Sequence, residues 1–250
     1  MIAAVALAFL ATTSASQPAV LREIVYKVSS VSTRAFSKET FGGADPNPDA
    51  VGNPNVPMVA YAPAPTSVRY ATAEDGTIVI DVLVVDQDVV SATVTEHFAN
   101  RSEPRTYSAI VSPTGVVRFN VPNPSPCASA LLPMFAIDFL TTNTYDPGYA
   151  WHLDFKTNAV DIDKMFTIAT LDGPFLILDE RETVHNSAAS GMDFLGTGKL
   201  KYKPSLLVPI SGDFEERGMR GTMDSNDELK TTVHFERISD TRDGVPATQP

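Results

Sequence analysis

At 250 residues, with 43% hydrophobic and 20% charged side chains, the chain is long enough to bury a sizeable core and is composed like a globular protein. A formal net charge of −11 excludes the phosphate-neutralising surface that nucleic acid or anionic lipid heads require. One cysteine, Cys127, excludes an internal disulfide, and its apolar setting "PSPCASA" reads as a small buried hydrophobe.

The chain opens with "MIAAVALAFLATTSAS". Residues 2–11 are apolar and are followed by small residues, the pattern of a signal-peptide core with cleavage near Ser16 or Gln17, although no Lys or Arg precedes it. The expectation is an exported bacterial protein, periplasmic or secreted, with no transmembrane segment after cleavage. The organisation expected is a signal peptide over 1–16, a first β-strand region over 17–41, a Pro/Gly/Asn-rich loop over 42–66, the main antiparallel meander over 67–240 in the same domain, and a flexible tail over 241–250.

"IVYKVSSVSTRAF" alternates Ile24, Tyr26 and Val28 against Val25, Lys27 and Ser29, which is strand periodicity. The loop that follows, "GGADPNPDAVGNPN", sets Asp45, Asn47 and Asp49 like calcium ligands. Ala50 and Val56, however, stand where a calcium loop needs its sixth-position glycine and twelfth-position glutamate. Prolines run on through "NVPMVAYAPAPTS", so the stretch is expected to be a stiff connection, a flap with Met58, Val59 and Tyr61 packing inward.

"GTIVIDVLVVD" and "VVSATVTEHF" flank a turn at Asp86-Gln87-Asp88, and "TYSAIVS" and "VVRFNV" flank Pro113-Thr114-Gly115. "SALLPMFAIDFL" places Leu131, Phe135 and Phe139 at helical spacing, with Ser129 as expected cap and Pro133 in the first turn. "YAWHLDF" sets Trp151, Leu153 and Phe155 opposite His152 and Asp154; two potential ligands are too few for a metal centre, so no metal is assigned. "DKMFTIATL" and "FLILDERET" flank Asp172-Gly173-Pro174, and three strand candidates follow, through "GMDFLGTGKLKYKP", "LLVPISGDFEERGMRGTM" and "LKTTVHFERIS".

Short turns between sequential strands imply an antiparallel meander: a mainly β fold, a strongly curved half-barrel sheet with one covering helix. A membrane barrel is disfavoured, because Glu180, Arg181 and Glu182 on one strand leave no face that lipid accepts.

No nucleophile elbow, phosphate loop or zinc helix appears, so no cofactor and no enzymatic activity are assigned. "GTGK" at 196–199 lacks the spacing of a phosphate loop and reads as a strand where backbone approaches closely. Paired carboxylates recur at Asp161 and Asp163, Glu180 and Glu182, Glu215 and Glu216. Acid–base chemistry would need two of them facing across a cleft; the ordinary reading is surface ion pairs with Arg181, Arg217 or Lys199.

"LREIVYKVSSVSTRAF", the antiparallel series, "ALLPMFAIDFL" and "KLKYKPSLLVPISGDFEERG" followed by "TTVHFERIS" give the chain an architectural resemblance to lipoprotein-carrier-like β-clams of the bacterial envelope and to secreted proteins of that shape. The resemblance implies a non-catalytic envelope protein holding a lipid or other apolar, acyl-chain ligand on a concave sheet. Trp151, Leu153, Phe155, Phe135, Phe139, Met58 and Tyr61 are the candidate lining. The alternative is a structural or assembly protein without a cavity, its protein partner unknown.

Overall fold

A computed structural model describes residues 20–38, 66–86, 88–140, 142, 144–156, 160–186, 192–222, 225–242 and 245–246. The elements in chain order are β1 (Arg22–Lys38), β2 (Thr66–Asp86), β3 (Val89–Phe98), β4 (Arg105–Val111), β5 (Val117–Phe119), α1 (Pro126–Leu131), β6 (Ala150–Lys156), β7 (Val160–Asp172), β8 (Phe175–Asn186), β9 (Asp193–Lys203), β10 (Val208–Thr222), β11 (Ser225–Arg242) and β12 (Val245–Pro246).

All strands join one antiparallel sheet in the order β5-β4-β3-β2-β1-β11-β10-β9-β8-β7-β6, with β12 added beside β11. The sheet is curved and does not close, since β5 and β6 are its two ends. Sequential strands are neighbours, as short turns require. There are two departures: β5 and β6, consecutive in the chain, lie at opposite ends of the sheet, and β1 pairs along its whole length with β11, from Arg22 opposite Arg242 to Lys38 opposite Ser225.

Four irregularities in register bend the strands, at Val25/Tyr26, Val82/Val84, Ile168/Thr170 and Pro209/Ser211. The hairpin turns use backbone that favours special residues. Asp88, Gly115 and Gly173 all have positive φ, at 65°, 85° and 58°.

Period two sorts the faces. Ile24, Tyr26 and Val28 of β1, Val90, Ala92 and Val94 of β3, and Leu176 and Leu178 of β8 are buried on the concave side. The segment between β5 and β6 lies across that side. Here the helix differs from the sequence expectation. The α-turns run over Pro126–Leu131, capped by Ser125, whose Oγ accepts from the Ala128 N–H at 3.1 Å. Beyond them the chain tightens into 3₁₀ turns at Leu132–Phe135 and Ile137–Phe139. Pro133 is the physical reason: lacking an N–H, it cannot continue the α hydrogen-bond ladder, so it closes the α-helix rather than opening it.

Leu131, Leu132, Met134 and Phe139 from this segment complete one core with the sheet. Cys127 is buried in it, and burial pushes its thiol up to about 12, well out of the reactive range. The Asp138 N–H donates to the Pro113 carbonyl at 3.1 Å, tying the covering segment to the β4–β5 turn. Among the described residues no helix is long and apolar enough to cross a membrane.

The connection from β1 to β2, where the flap with Met58, Val59 and Tyr61 is expected, lies outside the described residues; the strands it joins pair from Lys38 opposite Thr66 inward.

Candidate functional site

The register lays the concave face out in rows. In one, Ile168, Leu178, Leu200, Gly212, Phe235 and Val28 stand side by side across β7, β8, β9, β10, β11 and β1, and the side chains are apolar throughout. The next row reads Phe166, Glu180, Gly198, Phe214, Val233, Ser30. The third reads Lys164, Glu182, Gly196, Glu216, Thr231, Ser32. The concave face therefore passes, within three rows, from dry core to a charged surface.

The charged rows are not ordinary surface. The Lys164 ammonium lies 3.0 Å from Glu182 Oε1 and 3.4 Å from Glu180 Oε1. Burial pulls the Lys164 ammonium toward neutrality, but the pull of Glu180 and Glu182 outweighs it and the group is held charged. The Glu180 side chain is only 3% exposed, and its second oxygen, Oε2, has no hydrogen-bond partner. Burial raises the Glu180 carboxyl above its ordinary value against the opposing pull of Lys164, and Glu182 raises it further. Glu216 is pushed up to about 6, by burial first and then by Glu182 and Glu180, with Lys164 opposing.

Glycine makes the room. A Cβ at Gly196 would come within 3.2 Å of Glu182 Oε2, and one at Gly198 would overlap the Phe214 ring and come within 3.1 Å of Glu180 Oε2. Because β9 contributes no side chain in either row, Glu182 and Glu216 face each other across a gap two strand spacings wide, roughly 9–10 Å between backbones. The result is a recess of about 140 Å³ between α1 and the sheet, lined by Lys164, Glu180, Glu182, Phe214, Glu216 and Thr231, with Pro126 and Ala130 of the helix on the opposite wall. A larger, open groove of about 650 Å³ crosses the outer face of β8–β11 and β1. Several of its charges are already paired, as in His234 Nδ1 to Asp213 at 2.7 Å, Lys199 to Asp179 at 3.7 Å and Glu215 to Lys230 at 2.8 Å.

The residues singled out in the sequence fall elsewhere. Trp151, Leu153, Phe135 and Phe139 are buried in the core. Phe139 sits edge-on to Phe166 and Trp151 at 4.9 and 5.9 Å between centroids, so these rings occupy one another's faces. Phe155 stands opposite Ile162 in β7. His152 and Asp154 point outward, as period two requires, and β7 brings Asp163 to them. The ligand atoms of the three lie within 4.8 Å of one another, with His152 Nδ1 2.9 Å from Asp163 Oδ1. That hydrogen bond raises the His152 imidazole above its ordinary value. Sequence supplied two members of this exposed group; the third needed the β6–β7 register.

The carboxylate pairs divide. Glu215 faces out and is held by Arg217 at 2.7 Å and Lys230 at 2.8 Å, the expected surface pairing. Glu180 and Glu182 do not pair with Arg181; both point inward to Lys164, which sequence reasoning did not single out. The signal was present as charge at inward-facing positions of β7, β8 and β10, where period two otherwise puts apolar residues.

No family model and no curated protein matches the chain. Among solved structures it is similar to Rv2717c from M. tuberculosis, at 9% identity and a TM-score of 0.29, over 83% of this chain and 91% of that one. It is also similar to Ail, the attachment invasion locus protein of Yersinia pestis, at 7% identity and a TM-score of 0.19, over 86% of this chain and 99% of that one. At these TM-scores neither likeness bears on fold or function. The resemblance to lipoprotein-carrier-like proteins stands only at the level of a β-rich fold.

Proposed function

We propose that this chain is a non-catalytic binding protein of the exported, envelope type, which holds a small ligand in the recess between α1 and the charged rows of the sheet. One observation carries the reading: Glu180, a residue that lines that recess, keeps its second carboxylate oxygen, Oε2, buried and unpartnered. An orphaned buried acceptor costs about 1–3 kcal/mol, more when charged, and such groups persist where a ligand completes them. A purely structural sheet would place an apolar side chain there, as it does one row away at Leu178 and Leu200.

Export is supported by the apolar run over residues 2–11 and the small residues after it. An acyl chain, the ligand implied by the sequence resemblance, would have to displace Phe139, Leu131 and Leu132, which already fill the apolar part of the concave face. A compact ligand seated beside the plug needs no such rearrangement.

Native mass spectrometry of protein purified from its own host, followed by a thermal-shift panel of fatty acids, phospholipids and small polar metabolites, tests the reading. A retained small molecule, or a stabilising hit, is expected. Protein that is empty and shifted by nothing would contradict it and favour an assembly role.

A further inference from the structure

We propose that the recess is a site for an organic cation, a primary ammonium or guanidinium group on a small apolar body, clamped between Glu180, Glu182 and Glu216 with the Phe214 ring as its wall. The inference rests on the binding-protein reading and names its chemistry.

Charge comes first. Three inward carboxylates line the recess, and Lys164 is the one cation among the described lining residues that faces them. Lys164 engages Glu180 and Glu182 through one oxygen of each, leaving Glu180 Oε2 unpaired and the Glu216 carboxylate on the far side of the gap. α1 brings only Pro126, Ser129 and Ala130 to the opposite wall, so no charge arrives from above. The occupant that completes this electrostatic balance is positive.

Geometry then decides between kinds of cation. Among the described residues, the only His, Cys, Asp or Glu group of three or more whose ligand atoms lie close enough to share one ion is His152, Asp154 and Asp163 on the outer face. Glu216 stands apart from Glu180 and Glu182, with the strand that carries Gly196 and Gly198 between them. A guanidinium, with five N–H donors on a planar fork, reaches acceptors set further apart than one ion's shell, and an ammonium directs three N–H donors at the carboxylate oxygens within hydrogen-bond reach. Lys164 itself argues against a metal ion, since its ammonium already occupies the space between two of the carboxylates.

The remaining walls are suited to the apolar body. Phe214 stands in the same row as Glu180, stacked on Phe235 with centroids 5.7 Å apart, and Pro126, Ala130 and Val233 line the same recess. An aromatic face beside carboxylates is a cation-binding combination, since the ring quadrupole attracts the same charge the carboxylates do. Thr231, bonded to Ser32 at 3.1 Å, adds a hydroxyl at the rim.

Isothermal titration of the full chain at pH 7.5 with benzylamine tests this, with benzyl alcohol as the neutral isostere, decanoate as an acyl anion and calcium chloride as an inorganic ion. Expected is one-site benzylamine binding at millimolar affinity or tighter, weakened at least tenfold in Glu216→Gln, with no response to the alcohol. Circular dichroism of the variant confirms that it is folded. Equal binding of benzyl alcohol, unchanged benzylamine affinity in Glu216→Gln, or stoichiometric calcium lost in that variant would each overturn the proposal. Decanoate binding without benzylamine binding would overturn the cation chemistry while leaving the binding-protein reading in place. No binding by any probe, together with protein that carries no ligand from its host, would remove both.

Discussion

Phe139→Ala is expected to lower the free energy of unfolding by about 3–5 kcal/mol, the range for a fully buried aromatic truncated to alanine. Phe139 is fully buried and meets three strands at once: Trp151 of β6, Phe166 of β7 and Tyr202 of β9, at centroid distances of 5.9, 4.9 and 5.1 Å. It is thereby the rivet between the covering segment and the half of the sheet that carries the charged rows. Against a typical total of 5–15 kcal/mol, such a loss is a large fraction of stability. Urea unfolding followed by tryptophan fluorescence measures it directly, since Trp151 is the chain's one tryptophan. A loss below about 1 kcal/mol, accompanied by more co-purifying lipid, would instead mean that these rings line a usable apolar cavity.

Glu96→Ala is expected to destabilise by a similar amount, about 3–5 kcal/mol, for a different reason. The Glu96 side chain is fully buried, and both of its oxygens are used. Oε1 accepts from the Tyr107 hydroxyl at 2.7 Å and from the Ser125 N–H at 3.2 Å; Oε2 accepts from Arg101 Nη1 at 3.1 Å. Arg101 also pairs with Glu74. Ser125 is the cap of α1, so one carboxylate ties β3, β4, the 98–101 turn and the start of the covering helix together. Alanine would orphan the hydroxyl and the backbone N–H inside the core, and an unmade buried bond costs more than a made one contributes. A double-mutant cycle with Tyr107→Phe should return a coupling energy of about 1–3 kcal/mol. Additive effects would show that the network does not act as a unit.

Much of the fold was legible because it follows from local rules. Period two in "IVYKVSSVSTRAF" set Ile24, Tyr26 and Val28 on one face, which is buried, and turn chemistry placed the bends at Asp88, Gly115 and Gly173. What local rules do not carry is register between strands distant in sequence. The pairing of β1 with β11 joins residues some two hundred positions apart, and no turn announces it.

The candidate site failed to show for the same reason. Lys164, Glu180, Glu182, Glu216 and the two glycines are unremarkable one strand at a time, since each strand contributes only one or two of them. Only the row across β7, β8, β9 and β10 makes a cluster. The helix was misplaced by four residues for a local reason: Ser125 and Ser129 are both plausible caps, and Pro126 and Pro133 both fit a first turn. Glu96 at the β3 surface of the core favours the former, because it accepts the Ser125 N–H.

The central claim is that the carboxylates of the recess are kept for a ligand and not for the fold, and the pH dependence of stability of wild type and Glu216→Gln tests it most directly. Folded Glu216 holds its proton up to about 6, against an ordinary value of 4.5. Between those values the folded state binds more protons than the unfolded one, so stability falls as pH rises. The penalty is absent below the unfolded value and complete above the folded one, and a shift of this size corresponds to about 2 kcal/mol. Glu216→Gln should therefore be more stable than wild type at pH 8, by up to about 2 kcal/mol, with the gap closing as pH falls through 6 toward 4.5. A glutamine variant less stable than wild type at pH 8 would mean that the charged carboxylate supports the fold, and would contradict the account.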